Sequence, residues 1–215
     1  MKKQRTIIFG DIHSCYDEWR ELLDKVSASP ADRLISVGDL ISKGPYTKKT
    51  LDLAMSLPHL QCVMGNHDLY ILNRWMNDDL GNLLKDYQRS AIMELGQDLD
   101  KYMKYIATWP FFLDLEECIV VHAGLRPGIT LEKQAQKDLV HLRTVEPENK
   151  PWYEFYTGEK LVVHGHWAKQ GLVVRPNVIG LDTGCVYGKE LTALILPERK
   201  IVSVKAKKVY CPIGD

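Results

Sequence analysis

Five short segments set carboxylates and imidazoles directly after apolar runs: Gly10 to His13 (GDIH), Gly38 with Asp39 (GD), Gly65 to Asp68 (GNHD), Val121 to Gly124 (VHAG) and His164 to His166 (HGH). A single strand ending in Gly-Asp is common and reads as a turn with a capping carboxylate. Five in order read differently, because ligand-binding crevices of α/β sheets lie at the carboxyl ends of strands, where loops scattered in sequence converge. Glycines beside each polar group let the backbone turn sharply. Carboxylates mixed with imidazoles suit manganese, iron or zinc, whereas magnesium would use oxygen ligands almost alone. Six such groups are too many for one catalytic ion that keeps an open position. Two ions ~3.5–4 Å apart, sharing one carboxylate, would use them all and clamp an in-line displacement at phosphorus. Asp39 is the expected bridge.

Such loops need strands behind them. Thr6 to Phe9 is a short apolar run that breaks at Gly10, and Tyr16 to Val26 carries Trp19, Leu22, Leu23 and Val26 at helical spacing. The pattern repeats with a strand at Arg33 to Val37, a loop to Pro45, a helix around Lys48 to Ser56 and a strand at Gln61 to Met64. Alternation of this kind predicts a parallel sheet. From Asp68 to about Trp109 the composition turns helical, which predicts a helical insert over 68–109. Further on, Ile119 to Val121 reads as a strand and the region near Leu131 to Leu139 as a helix. Strands are predicted at Leu161 to Val163, Leu172 to Arg175, Val178 to Leu181, Leu191 to Leu196 and Ile201 to Lys205. No repeat or linker divides the chain, so residues 1–215 read as one α/β domain.

Lys plus Arg equal Asp plus Glu at 28 each, so the net field gives no reason to expect strong nucleic-acid or membrane binding. Attraction for an anion must be local. No apolar run is long enough to cross a bilayer, and Met1 to Arg5 do not look like an export signal. Five cysteines without CxxC spacing fit neither a disulfide framework nor a structural zinc site, and a reducing cytoplasm is the simplest home. His59 reads as a surface histidine, His141 as structural and Cys15 as a small buried residue. The basic run Lys205 to Lys208 reads as a solvated strand end.

In order and type, GDIHS, GDLISKGP, GNHD, VHAG and GHWA resemble the motifs of the phosphoprotein-phosphatase superfamily of calcineurin-like metallophosphoesterases. The stretches GNHDLYIL, HAGLRPG, GHWA and LDTGCVYG with LTAL resemble its symmetrical diadenosine-tetraphosphate hydrolases. The resemblance implies a central β-sandwich flanked by helices, four layers αββα. It implies that Asp11, His13 and Asp39 hold one metal, and that Asp39, Asn66, His122 and His166 hold a second. Manganese is the first expectation, with iron, zinc or cobalt as alternatives. It also implies that His67 donates a proton to the leaving group, and that Lys43 and Arg143 bind phosphate. His164 stands where the family often has an apolar residue and is taken as a neighbour of the site.

Three departures from the family pattern matter. Ser14 replaces a usual glycine, a small change where φ is not positive. Lys43 keeps the charge of an arginine and loses its bidentate fork. Ser42 removes the aspartate that pairs with the catalytic histidine in the protein phosphatases, so His67 should be a poorer proton source. A serine alkoxide needs that proton to leave; a nucleoside diphosphate, a much weaker base, needs it far less. Phosphoanhydrides are therefore the expected substrates. The expected reaction converts diadenosine tetraphosphate to two ADP, attacked by a hydroxide bridging the ions. Trp152, Tyr153, Phe155 and Tyr156, with Trp167 beside His166, offer surfaces for adenine, although buried aromatics are the commoner case. The rivals are a phosphatase of phosphoproteins, polyphosphate or other phosphoesters, and a nucleotide-binding module without catalysis. The expected partner is a small-molecule nucleotide or phosphoester substrate.

Overall fold

Ile7 and Phe9 bury on one side of the first strand and Ile8 on the other, and each side meets a different apolar cluster. A short strand buried on both faces is continuously apolar, which is why it shows no alternation in sequence. This computed structural model describes residues 4–82 and 85–212. In chain order its elements are β1 (Thr6–Phe9), α1 (Tyr16–Lys25), β2 (Arg33–Ser36), α2 (Thr47–Ser56), β3 (Leu60–Cys62), α3 (Asn66–Met76), α4 (Asp86–Leu95), α5 (Leu99–Ile106), β4 (Phe112–Asp114), β5 (Cys118–Val121) and α6 (Gln136–His141). There follow β6 (Thr144–Val145), β7 (Lys150–Pro151), β8 (Leu161–His164), β9 (Val173–Val174), β10 (Val178–Gly180), β11 (Glu190–Leu196) and β12 (Lys200–Lys205).

Two five-stranded sheets form the sandwich, in the orders β12-β11-β1-β2-β3 and β4-β5-β8-β10-β9. Between them lies a layer that includes Ile8, Ile35, Val63, Val120, Val163, Ile179 and Leu194. The outer face of the first sheet is covered by α1 through Trp19, Leu22 and Leu23 and by the helical segment through Leu72, Leu95 and Tyr102. On the outer face of the second, Leu139 of α6 packs with Trp152 and Tyr153 against Ile119, Val121, Val162 and Val178. The order helix, sheet, sheet, helix is the four-layer αββα arrangement that the family resemblance implied.

The parallel-sheet expectation needs correction, since both sheets are mixed. β1, β2 and β3 are mutually parallel, as are β5, β8 and β10, but on the first sheet β11 runs antiparallel to β1 and β12 antiparallel to β11, and on the second β4 and β9 run antiparallel to their neighbours. The connections from β4 to β5 and from β11 to β12 are too short for a crossover, so those pairs must be antiparallel. Two short elements, β4 and the β6–β7 hairpin, were not predicted. The helix predicted near Leu131 to Leu139 is a 3₁₀ turn at Leu131–Lys133 followed by α6. They are separated because the Gln134 side chain takes up the loop, donating to Arg126 O and Ile129 O and accepting from Arg126 N. The helical insert is present as α3, α4 and α5, with its residues 83–84 outside the described set. Glu94 of α4 accepts the Thr47 and Lys48 N–H groups at 2.7 and 3.0 Å, which caps α2 and pins the insert to the sandwich. Among the described residues no helix is long and apolar enough to cross a membrane.

Candidate metal centre

Each parallel strand delivers polar residues where it ends. β1 runs out into Asp11 and His13, β2 into Asp39 and Lys43, β3 into Asn66 and His67 at the first turn of α3, β5 into His122, and β8 into His166. All converge at one edge of the sandwich. Asn66 Oδ1 lies 2.9 Å from both His122 Nε2 and His166 Nδ1. A single Asp39 oxygen, Oδ2, lies 3.5 Å from both His13 Nε2 and His122 Nε2. Asp11 receives the His166 backbone N–H across its two oxygens, at 3.2 and 3.1 Å. Asp11, Asp39 and His122 each bring a ligand atom within 4.8 Å of the others, and so do His13, Asp39 and His67. Asp39 is common to both groups.

The hydrogen bonding of the imidazoles tests whether cations fit. His122 Nδ1 donates to Val37 O at 2.8 Å and His13 Nδ1 to Ile41 O at 3.4 Å. A neutral imidazole with its proton on Nδ1 presents a bare lone pair at Nε2. Both bare nitrogens face Asp39 Oδ2, which is itself an acceptor. Lone pairs aimed at one another are satisfied by a cation between them, and backbone carbonyls that fix the tautomer are the usual support of a metal-ligating histidine. The donor set fits divalent ions.

Burial is the largest cause of the titration shifts at the site. It lifts Asp11 well above the carboxylate range, with Asp182 and Asp39 adding repulsion. It lifts Asp39 to about 7 against the pull of Lys43, and Asp182 to about 6. It holds His13, His67 and His166 well below the ordinary imidazole value and His122 at about 3. A divalent ion favours charged carboxylate and neutral imidazole, the forms that ligate it.

The local backbone is strained in the same place. His13, Ser14, Asp39, Ser42, Lys43 and His166 all have φ between 46° and 81°. Such conformations cost on the order of 1 kcal/mol or more each for a residue with a Cβ, and they persist where surrounding contacts enforce them. Ser14 is among them, at φ 58°, so the condition under which serine could replace glycine without strain is not met. A 2.9 Å hydroxyl contact to Thr47 Oγ1 offsets part of that cost. The glycines act less as turn formers than expected. Of those in the five segments only Gly38 has a positive φ, 97°, whereas Gly165 is needed for close approach: a Cβ there would lie 1.9 Å from Asp11 Oδ1.

A cavity of about 460 Å³ opens above these residues. Lys43 reaches it with its Nζ donating to the Tyr187 phenol at 2.7 Å, and Arg143 with Nη2 donating to His166 O at 3.4 Å. His67 is tethered by its own N–H to Asp39 Oδ1 at 2.9 Å. Its ring stands edge-on to His13, 5.0 Å between centroids, and 6.0 Å from Tyr87, and among the described residues no hydrogen bond reaches it. Ser42 Oγ, where the family pattern has a carboxylate, is buried with no hydrogen-bond partner among the described residues. Trp167 lines the cavity; Trp152 and Tyr153 are core. Phe155 and Tyr156 line a separate groove with Leu125 and Ile129. His164 points away from the cavity, packed against Trp152 and Tyr153. His59 is exposed and Cys15 fully buried, as expected.

Asp182, Tyr187, Lys169 and Lys189 also line the cavity and were not foreseen. Asp182 follows β10 as Asp39 follows β2, so the strand-end rule would have found it. His141, expected to be structural, is exposed at the end of α6 with its ring 6.0 Å from that of His166.

Residues 4–201 match the family model for calcineurin-like phosphoesterases. The chain is 29% identical to a symmetrical bis(5'-nucleosyl)-tetraphosphatase of Aromatoleum aromaticum, over 93% of this chain and 96% of that one. It is also 29% identical to an asymmetrical bis(5'-nucleosyl)-tetraphosphatase of Geobacillus sp. (strain WCH70), over 95% and 96%. A crystal structure described as that of a candidate diadenosine tetraphosphatase superposes with a TM-score of 0.83 at 31% identity, over 95% of each chain.

Proposed function

The chain belongs to the calcineurin-like phosphoesterase family of metal-dependent hydrolases, and on that premise we propose that it cleaves diadenosine tetraphosphate symmetrically into two ADP. The observation that carries the reading is the position of Asp39, one oxygen of which is equidistant from two imidazoles belonging to different ligand groups. Asp11, His13 and Asp39 would hold one ion, and Asp39, Asn66, His122 and His166 the other, with manganese as the metal that suits this mixed oxygen and nitrogen set. When bound, two such ions supply a hydroxide nucleophile near neutral pH and withdraw charge from the phosphoryl group.

The protein's own groups do the rest. Lys43, steered by the Tyr187 phenol, and Arg143 neutralise phosphoryl oxygens as negative charge grows on them. His67 is held at the cavity by its N–H to Asp39 and meets the leaving oxygen. Burial and the Lys43 charge keep its imidazole neutral near pH 7, which disfavours expulsion of an alkoxide. ADP departs without that help, so an anhydride suits this site better than phosphoserine. The half-buried Trp167 gives adenine a stacking face beside His166.

Asymmetrical cleavage to ATP and AMP is the second reading, because relatives of both kinds stand at 29% identity. Chromatography of products from the manganese-loaded protein, with a phosphopeptide and p-nitrophenyl phosphate alongside, separates the possibilities. ADP alone supports the proposal, equal ATP and AMP moves the attack by one phosphorus, and preferential turnover of the phosphopeptide overturns the substrate class.

A further inference from the structure

The floor and the rim of the cavity carry opposite charge. On the floor, Asp11, Asp39 and Asp182 are at most 6% exposed. On the walls stand Lys43, Arg143, Lys169 and Lys189, and among the described residues none of the four is in an ion pair. Four unneutralised cations around one opening are conspicuous in a chain whose acidic and basic residues balance at 28 each.

Three of the cations are linked through neighbouring residues of the cavity wall. Lys43 Nζ bonds Tyr187, and Lys189 follows two residues later on the same loop. Lys189 lays its stem over Gly184, its Cδ 3.2 Å from where a Cβ would be, and brings Nζ 3.4 Å from Ala168 O. Lys169 is the next residue on that second loop, beside Trp167. Charge therefore continues outward from the phosphate-binding lysine, across two loops, toward the indole. Lys43 and Arg143 suffice to neutralise a single phosphate at the floor. The outer lysines have work only if the ligand carries further phosphates along the wall.

We infer that Lys189 and Lys169 form an outer subsite for a polyphosphate chain, holding the phosphates beyond the one under attack and so favouring phosphoanhydrides over monoesters. The inference deepens the proposed function and rests on it for the identity of the inner site. Its test is a binding measurement, which succeeds or fails whatever products the enzyme makes. Inorganic tripolyphosphate and orthophosphate are titrated calorimetrically into the manganese-loaded protein at fixed free manganese. The proteins compared are the wild type, the K169A/K189A double variant and the K169R/K189R double variant. Both lysines are exposed, so the variants fold, and their melting curves verify it. Removing two charge-assisted contacts should weaken tripolyphosphate about tenfold and orthophosphate less than threefold, with the arginine variant near wild type. Tripolyphosphate affinity within twofold of wild type in the alanine variant, or equal weakening of both anions, overturns the subsite. Absence of ADP from wild-type digests would instead overturn the proposed reaction.

Discussion

Gly165→Ala puts the geometry of the centre under direct strain. The added methyl would lie 1.9 Å from Asp11 Oδ1, 3.0 Å from Asp11 Cγ and 2.7 Å from Val37 Cγ2. Ordinary carbon–oxygen contact needs about 3.3 Å, so the carboxylate must retreat by more than ~1 Å or the His166 loop must lift by as much. Either movement breaks the two contacts by which Asp11 receives the His166 N–H, and thus disturbs one ligand from each proposed ion site. Overpacking of this kind costs about 1–3 kcal/mol of stability, and a ligand misplaced by ~1 Å costs about 100-fold in rate. Turnover of p-nitrophenyl phosphate, bound manganese by elemental analysis and the melting curve are measured together. Gly81→Ala, which meets nothing within 4 Å, is the control. The expected Gly165→Ala protein is folded, has lost at least one ion per chain and is about 100-fold slower. A folded variant with two ions and turnover within threefold of wild type would refute the idea that this glycine is there for the approach of Asp11.

His67→Ala should cost less than about tenfold on diadenosine tetraphosphate, since the better leaving group dispenses with the proton; a loss of about 100-fold in kcat would contradict the role given to the ring. Tyr187→Phe should lower kcat/KM about three- to tenfold by freeing Lys43, the worth of one ordinary hydrogen bond, and a steady-state assay showing no change would remove the phenol from the site. His164 is buried with Nε2 unpartnered and its imidazole pushed down from 6.5 to about 4 by burial, so the folded protein stays neutral there while the unfolded chain takes up a proton. Stability from this group is intact above pH 6.5 and falls toward pH 4, by on the order of 3 kcal/mol. Urea unfolding of the metal-free protein at pH 7 and pH 4.5 should show a smaller acid loss in His164→Gln than in wild type; parallel losses would contradict it.

The strand ends were legible because β1, β5 and β8 combine a fully buried apolar run with an abrupt polar turn, and β2 and β3 do so in their last residues, and that signal is local. Asp11, His13, Asp39, Asn66, His67, His122 and His166 all sit on it, and they meet because β1, β2, β3, β5 and β8 end at one edge. Asp182 carries the same signal after β10 and was passed over. The Tyr187 contact to Lys43 has no local trace, since the partners are 144 residues apart. Strand direction was equally hidden: β11 is as apolar as β1, and only the short link from β11 to β12 makes that pairing antiparallel. His164 shows the limit of residue type as a guide. One residue from the glycine that admits Asp11, it faces Trp152 and Tyr153 instead of the cavity, because alternate residues of a strand point to opposite faces.

The shared carboxylate is the centre of the account, and the most direct test is the metal content of Asp39→Asn beside wild type, after equilibration with manganese and removal of free ion. Two ions per chain in wild type, with fewer than one in Asp39→Asn and loss of turnover, is the predicted result. An Asp39→Asn protein that keeps two ions and hydrolyses its substrate at the wild-type rate would contradict it.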